Sequence, residues 1–157
     1  MVGPGPATYV ATAPAFGADA EWQERVAAHR TRRPGAWTTI ESEDLPRHIS
    51  RADPQHPVLI DCLTLWLTSR MDRHGVWSDP TGVSAVRRDI DDLVTAVSDC
   101  PGGLVLVTNE VGSGLVPMDR GARLFRDLLG VTNSAVADVC DLAYLVVAGR
   151  LLALEPA

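Results

Sequence analysis

Short, unbroken apolar runs alternate along the 157-residue chain with longer stretches in which apolar positions recur every three or four residues. The run Leu104 to Val107 (LVLV) has the pattern of a strand buried on both faces of a parallel sheet, and Pro57 to Asp61 (PVLID) and Leu142 to Val147 (LAYLVV) predict two further buried strands. Tyr9 to Thr12 and Trp37 to Ile40 predict two further short strands, and Leu151 to Leu154 a hairpin partner for the last run. Helical spacing is clearest from Thr81 to Ser98, where Val83, Val86, Ile90, Leu93, Val94 and Val97 share one side and Arg87, Arg88, Asp91 and Asp92 the other. A helix opening at Asp19 or Ala20, after a Pro/Gly loop from Ala13 to Gly17, is predicted to reach about His29. Asp44 predicts the cap of a helix through Arg51, and Leu63 to Arg70 predicts another. Leu124, Leu128, Ala135, Val136 and Val139 predict one or two helices between Arg120 and Val139. Arg73 to Gly82, rich in Gly, Asp and Pro, is expected to be the most mobile loop.

Strands alternating with helices predict an α/β fold: a mostly parallel sheet with helices on both faces, in a single domain covering residues 1–157. Ligands of such sheets bind at the carboxyl ends of the strands. Leu104 to Val107 runs directly into Thr108, Asn109, Glu110 and a loop carrying Gly112 and Gly114, so that edge is a candidate site.

Composition narrows the chemistry. All 14 basic residues are arginine and lysine is absent, which excludes a Walker-type lysine on a nucleotide phosphate and any Schiff-base mechanism within this sequence. A net charge of −6 argues against a general nucleic-acid binder. Cys62, Cys100 and Cys140 form no C-x-x-C pair and read as small core residues rather than a disulfide framework or zinc site. No apolar run approaches the ~20 residues of a membrane helix, and no signal peptide is evident, so a cytoplasmic protein is expected.

The segment Ala28 to Pro34 (AHRTRRP) sets His29 beside Arg30, Arg32 and Arg33 at a predicted helix end. Neutral imidazole is a competent nucleophile, and guanidinium forks suit phosphate oxygens; a solvated basic helix end is the plainer alternative. Asp61 ends its strand where nucleotide-binding sheets place a carboxylate on Mg²⁺ or a ribose, or where an acidic residue caps the next helix. Glu41 and Thr12 end their strands similarly, Thr12 with a hydroxyl suited to a base or ribose. His48, His56 and His74 show no metal-ligand spacing, and Trp22, Trp37, Trp66 and Trp77 read as packing residues.

In this order, TYVATA, AHRTRRP, the glutamate of TTIE, LIDCLTLWLT and LVTNEVGSGLVP resemble the adenosylcobinamide kinase/adenosylcobinamide-phosphate guanylyltransferase family of cobalamin biosynthesis. The resemblance runs from Tyr9 to about Leu152. It implies an enzyme that phosphorylates adenosylcobinamide and then transfers GMP from GTP through a guanylylated histidine. On that resemblance His29 carries the GMP, and nucleotide contacts fall on Ala11, Thr12 and Ala13, on Arg30, Thr31, Arg32 and Arg33, on Glu41 and on Asp61. GTP, Mg²⁺, ATP as a kinase donor, a fold related to P-loop nucleotide-binding proteins and a homotrimer are implied with it. Family members open with a strand and a G-G-x-R-S-G-K-S loop, whereas this sequence opens with MVGPGPATYVATA, so a first strand and phosphate loop are expected to be missing here. Kinase activity is then expected to be lost, and a non-catalytic remnant that binds guanine nucleotide weakly is the alternative function.

Overall fold

The computed structural model describes residues 5–13 and 20–156, so the predicted loop beyond Ala13 and a helix start at Asp19 lie outside the described residues. Four parallel strands form one sheet: β1 (Ala7–Ala11), β2 (Trp37–Glu41), β3 (Val58–Asp61) and β4 (Leu104–Val107), in the order β2-β1-β3-β4. Helices fill the connections as α1 (Ala20–Thr31), α2 (Leu45–Ile49), α3 (Leu63–Arg73), α4 (Val83–Ser98) and α5 (Arg120–Ala137). The α/β class with a helix-flanked parallel sheet is therefore the one predicted.

Strand order decides where a ligand fits. From β1 the chain moves to one neighbour, β2, and then back across β1 to the other neighbour, β3. Right-handed crossovers in opposite directions put their helices on opposite faces and open a crevice between the carboxyl ends of β1 and β3. Residue parity agrees. Val10, Val58 and Ile60 face the hydrophobic core shared by α2, α3, α4 and α5, while Tyr9 and Asp61 face a cleft lined by α1.

The core follows the helical periodicity. Val86, Ile90, Leu93 and Val97 of α4 are buried, while Arg87, Arg88, Asp91 and Asp92 face solvent. Trp66, Leu67 and Met71 of α3 and Leu128 and Leu129 of α5 pack with them, each contributing about 1.5–3 kcal/mol of apolar burial. The helix predicted from Thr81 starts at Val83, because the Asp79 carboxylate accepts from Thr81 N at 2.9 Å and holds Pro80–Gly82 in a 3-10 turn. Residues 120–137 form a single helix, opened by Asp119, which accepts from Ala122 N at 2.8 Å. The cysteines are free thiols, Cys62 buried and the other two half-buried against the core. Among the described residues, no helix is long and apolar enough to cross a membrane.

Three expectations are corrected. The run Leu104 to Val107 is not buried on both faces: β4 lies at the edge of the sheet, with its first three residues half-buried and Val107 exposed. The run Leu142 to Val147 is not buried: β5 (Ala143–Val147) pairs antiparallel with β6 (Arg150–Leu154), the expected hairpin partner, but the hairpin stands apart from the main sheet with Tyr144, Val146 and Val147 exposed. The turn explains this. Ala148 and Gly149 adopt φ of 48° and 69°, the paired positive values of a tight hairpin turn, so the strand pairs with its nearest sequence neighbour. The segment from Arg73 to Gly82 is anchored rather than loose. Val76 is fully buried, His74 Nε2 lies 2.9 Å from Asp89 Oδ2, and Trp77 donates to Asp72 Oδ1 at 2.5 Å while stacking on Phe125.

Candidate active site

The crevice at the β1–β3 switch holds a cavity of about 560 Å³. Its floor is the strand face carrying Tyr9, Ala11 and Asp61, its side is Thr39 and Glu41 of β2, and its roof is the His29 and Arg30 end of α1. Helix α1 is rich in strong helix formers, carries an exposed Glu21–Arg25 pair at 2.5 Å, and ends before Pro34. It buries no residue, and His29 and Arg30 at its last turn line the cavity.

His29 is 60% exposed at its side chain and its Nδ1 lies 3.9 Å from Asp61 Oδ2. The imidazole therefore looks toward the carboxyl rim of the sheet, with Nε2 as the ring nitrogen further from Asp61. The same Oδ2 accepts a short hydrogen bond from the Tyr9 hydroxyl. Behind it, Thr12 is buried, and its hydroxyl donates to Cys62 O at 2.6 Å and accepts from Cys62 N at 2.8 Å. That side chain ties the ends of β1 and β3 together and holds the backbone just beyond Asp61.

Arginines converge from the end of α1. Arg30 donates to Glu41 Oε1 at 2.5 Å across the cavity mouth. Arg33 lies with its guanidinium carbon 3.5 Å from the centroid of the Tyr9 ring and donates to Thr39 Oγ1 at 3.0 Å. Its Nε is buried with no hydrogen-bond partner among the described residues. A buried, unpartnered donor costs about 1–3 kcal/mol.

Against this geometry, the family model for cobinamide kinase/cobinamide phosphate guanyltransferase matches residues 3–154. The chain belongs to that family. It is 36% identical over 149 residues to the bifunctional adenosylcobalamin biosynthesis protein CobU of Escherichia coli strain K12, covering 90% of this chain and 81% of the relative. The same-named protein of Salmonella typhimurium is 38% identical over the same shares, and CobP of Pseudomonas aeruginosa is 36% identical over 94% of this chain and 82% of its own.

In this cobinamide kinase/guanyltransferase family member, the cavity brings together Ala11, Ala13, His29, Arg30, Arg33, Glu41 and Asp61, all residues marked out in the sequence. Three others point elsewhere. Thr12 bonds to the backbone of Cys62, Thr31 Oγ1 donates back to Ala27 O at 2.9 Å, and Arg32 is exposed outside the cavity lining. The Thr108–Glu110 edge is internally bonded: Thr108 donates to Asn133 Oδ1 at 2.7 Å, Asn133 donates to Asn109 O, and Glu110 accepts from Gly112 N. Sequence reasoning missed Tyr9, although the alternation of β1 puts it on the face of Ala11, in register with β3 two residues before Asp61.

Tyr9 has a measurable signature. Burial first, then the Asp61 hydrogen bond and charge, push its phenol well above the ordinary value, with Arg33 opposing. Because the folded-state value is raised, the neutral phenol's stabilising contribution is complete below about pH 10 and is lost as pH rises beyond it. Urea midpoints are expected to fall above that pH, and the fall to be smaller in Tyr9→Phe. The thiol of Cys140, also raised by burial, acts in the same direction in both proteins. Identical alkaline slopes for the two proteins would contradict the assignment.

Proposed function

We propose that this chain transfers GMP from GTP to adenosylcobinamide phosphate through a guanylylated His29. The observation that carries the reading is the exposed imidazole of His29 at the carboxyl rim of the sheet, 3.9 Å from Asp61 and sharing its cavity with Arg30 and Arg33. Family membership and the relatives' name as bifunctional adenosylcobalamin biosynthesis proteins support the same chemistry.

The steps follow from the atoms present. With Nδ1 protonated and turned to Asp61, the Nε2 lone pair attacks the α-phosphorus of GTP. The N–P bond forms as the bond from that phosphorus to the β-phosphate oxygen breaks, and pyrophosphate leaves. Asp61 stabilises the positive charge that develops on the ring. Arg30 and Arg33, which line the cavity, stabilise charge on the phosphates. A phosphate oxygen of the corrinoid then attacks the same phosphorus and displaces the imidazole, giving adenosylcobinamide-GDP.

Among the described residues, no group of three or more His, Cys, Asp or Glu side chains forms a cage for a metal ion. A single carboxylate such as Asp61 suits Mg²⁺ that arrives on the triphosphate, where the ion would neutralise phosphate charge. ATP is the candidate donor for the kinase half of the family's chemistry, and a GTP-dependent activity is consistent with the cytoplasm. The exposed apolar face of β5 and β6 supports association with further copies, the homotrimer itself being what the family resemblance implies.

Incubation with α-labelled GTP and Mg²⁺ tests the proposal. An acid-labile, alkali-stable GMP adduct mapping to His29 is the expected result. Nucleotide binding without an adduct would reject the catalytic reading and leave a binding role.

A further inference from the structure

Tyr9 touches both halves of the proposed chemistry while contributing no reacting atom. Its hydroxyl donates to Asp61 Oδ2, the oxygen that faces His29 Nδ1. Its ring lies under the Arg33 guanidinium at 3.5 Å and stacks against Trp37 on the other strand, with ring centroids 6.3 Å apart. The residue is only 6% exposed, so its place is set by packing and not by solvent. We propose that Tyr9 is the positioning residue of this site: its hydroxyl holds the Asp61 carboxylate beside Nδ1 of His29, and its ring holds Arg33 against the incoming phosphates. This rests on the guanylyl-transfer reading for its catalytic consequence, though not for its geometry.

The physical case starts from His29. An exposed imidazole at the end of a helix that buries nothing has no packing to choose its tautomer or its orientation. A carboxylate near Nδ1 makes that choice by favouring the Nδ1–H form, which leaves the lone pair on Nε2. Asp61 does this reproducibly only if it is itself oriented, since a half-buried carboxylate otherwise samples several rotamers. A short hydrogen bond from a buried phenol orients it. Burial and the adjacent carboxylate also keep that phenol protonated at neutral pH, so Tyr9 acts as a fixed donor and is unsuited to serve as base or nucleophile. The flat ring restricts Arg33, one of the residues lining the cavity, in the same way, through a cation–π contact.

Two substitutions separate the functions of one side chain. Tyr9→Phe deletes the hydroxyl and keeps the ring. It is expected to slow single-turnover loading of His29 with GMP about tenfold, the scale of a lost hydrogen bond to a charged group, with the KM for GTP within about twofold. Tyr9→Leu also removes the platform for Arg33 and is expected to raise that KM about fivefold. A structural role alone would give neither split.

The decisive readout needs no turnover. Long-range ¹H–¹⁵N spectra of His29 in the nucleotide-free protein are expected to show mainly the Nδ1–H tautomer, shifting toward Nε2–H in Tyr9→Phe and in Asp61→Asn. Combining these two changes is expected to add nothing further, because both act through one carboxylate. An unchanged tautomer in Tyr9→Phe, or additive effects in the double variant, overturns the proposal. Failure of the wild-type protein to load GMP defeats the function reading instead, and the tautomer measurement still decides the role of Tyr9.

Discussion

Replacing His29 by asparagine is expected to abolish the covalent GMP adduct and to cut guanylyl transfer by about three orders of magnitude or more, the scale on which loss of a nucleophile acts. Asparagine keeps a polar side chain of moderate size but offers no lone-pair nitrogen able to displace pyrophosphate. Nucleotide binding is expected to persist, because Arg30, Arg33 and Glu41 remain in the cavity. Stability is expected to change by no more than about 0.5 kcal/mol, since the histidine side chain is 60% exposed and its helix buries no residue. Phosphoprotein analysis, nucleotide titration and thermal melting of the one variant therefore separate chemistry from binding and folding. An adduct retained in His29→Asn would place the nucleophile elsewhere. A large fall in melting temperature would mean that the ring serves the fold.

What could be read from the chain depended on whether a residue's role is recorded in local spacing. Helix α4 was legible because Val86, Ile90, Leu93 and Val97 recur at the period of the surface they bury. Strands β3 and β4 were legible as short apolar runs, although β4 ends the sheet and its run is half-buried rather than covered on both sides. The same signal misled on burial at Leu142 to Val147, because an apolar run does not state whether another layer covers it, while its hairpin pairing with Leu151 to Leu154 was foreseen. There the backbone at Ala148 and Gly149 decided for a local hairpin. At the site, His29, Arg30, Arg33, Glu41 and Asp61 stood out because polar groups at strand and helix ends break the apolar pattern. Tyr9 did not stand out, since an aromatic residue within a strand reads as packing. Its partnership with Asp61, 52 positions away, exists only once β1 and β3 lie side by side. Thr12 shows the opposite case: a hydroxyl at a strand end suggests a ligand, and in the fold the adjacent β3 terminus supplies it with two bonding partners.

Removal of the Glu43 carboxylate is expected to be the most damaging single change outside the hydrophobic core. Glu43 follows β2 by two residues, and its Oε2 accepts from Arg70 at 2.6 Å and from Arg73 at 3.1 Å. Arg70 is the constrained partner: its side chain is 10% exposed, its Nε is buried without a hydrogen-bond partner among the described residues, and its guanidinium lies 5.8 Å from the Trp66 ring. Glu43→Ala would leave that buried charge uncompensated. Such a loss costs about 3–5 kcal/mol in a fully buried pair, and the partial exposure of Glu43 argues for the lower end. A loss of about 3 kcal/mol lowers the melting temperature of a domain this size by roughly 6–12 °C. The pair itself is not intrinsically strong, however, because both charges were desolvated to form it. Adding Arg70→Met to Glu43→Ala is therefore expected to restore most of the lost stability, since a flexible apolar side chain fills the space and no buried charge remains. Site geometry should follow stability here. The backbone carbonyl of Glu43 also accepts from Trp66 Nε1 at 3.2 Å, so this junction anchors the end of β2 that presents Glu41 to the cavity. If the double variant melts as low as Glu43→Ala alone, the carboxylate matters for some reason other than neutralising Arg70.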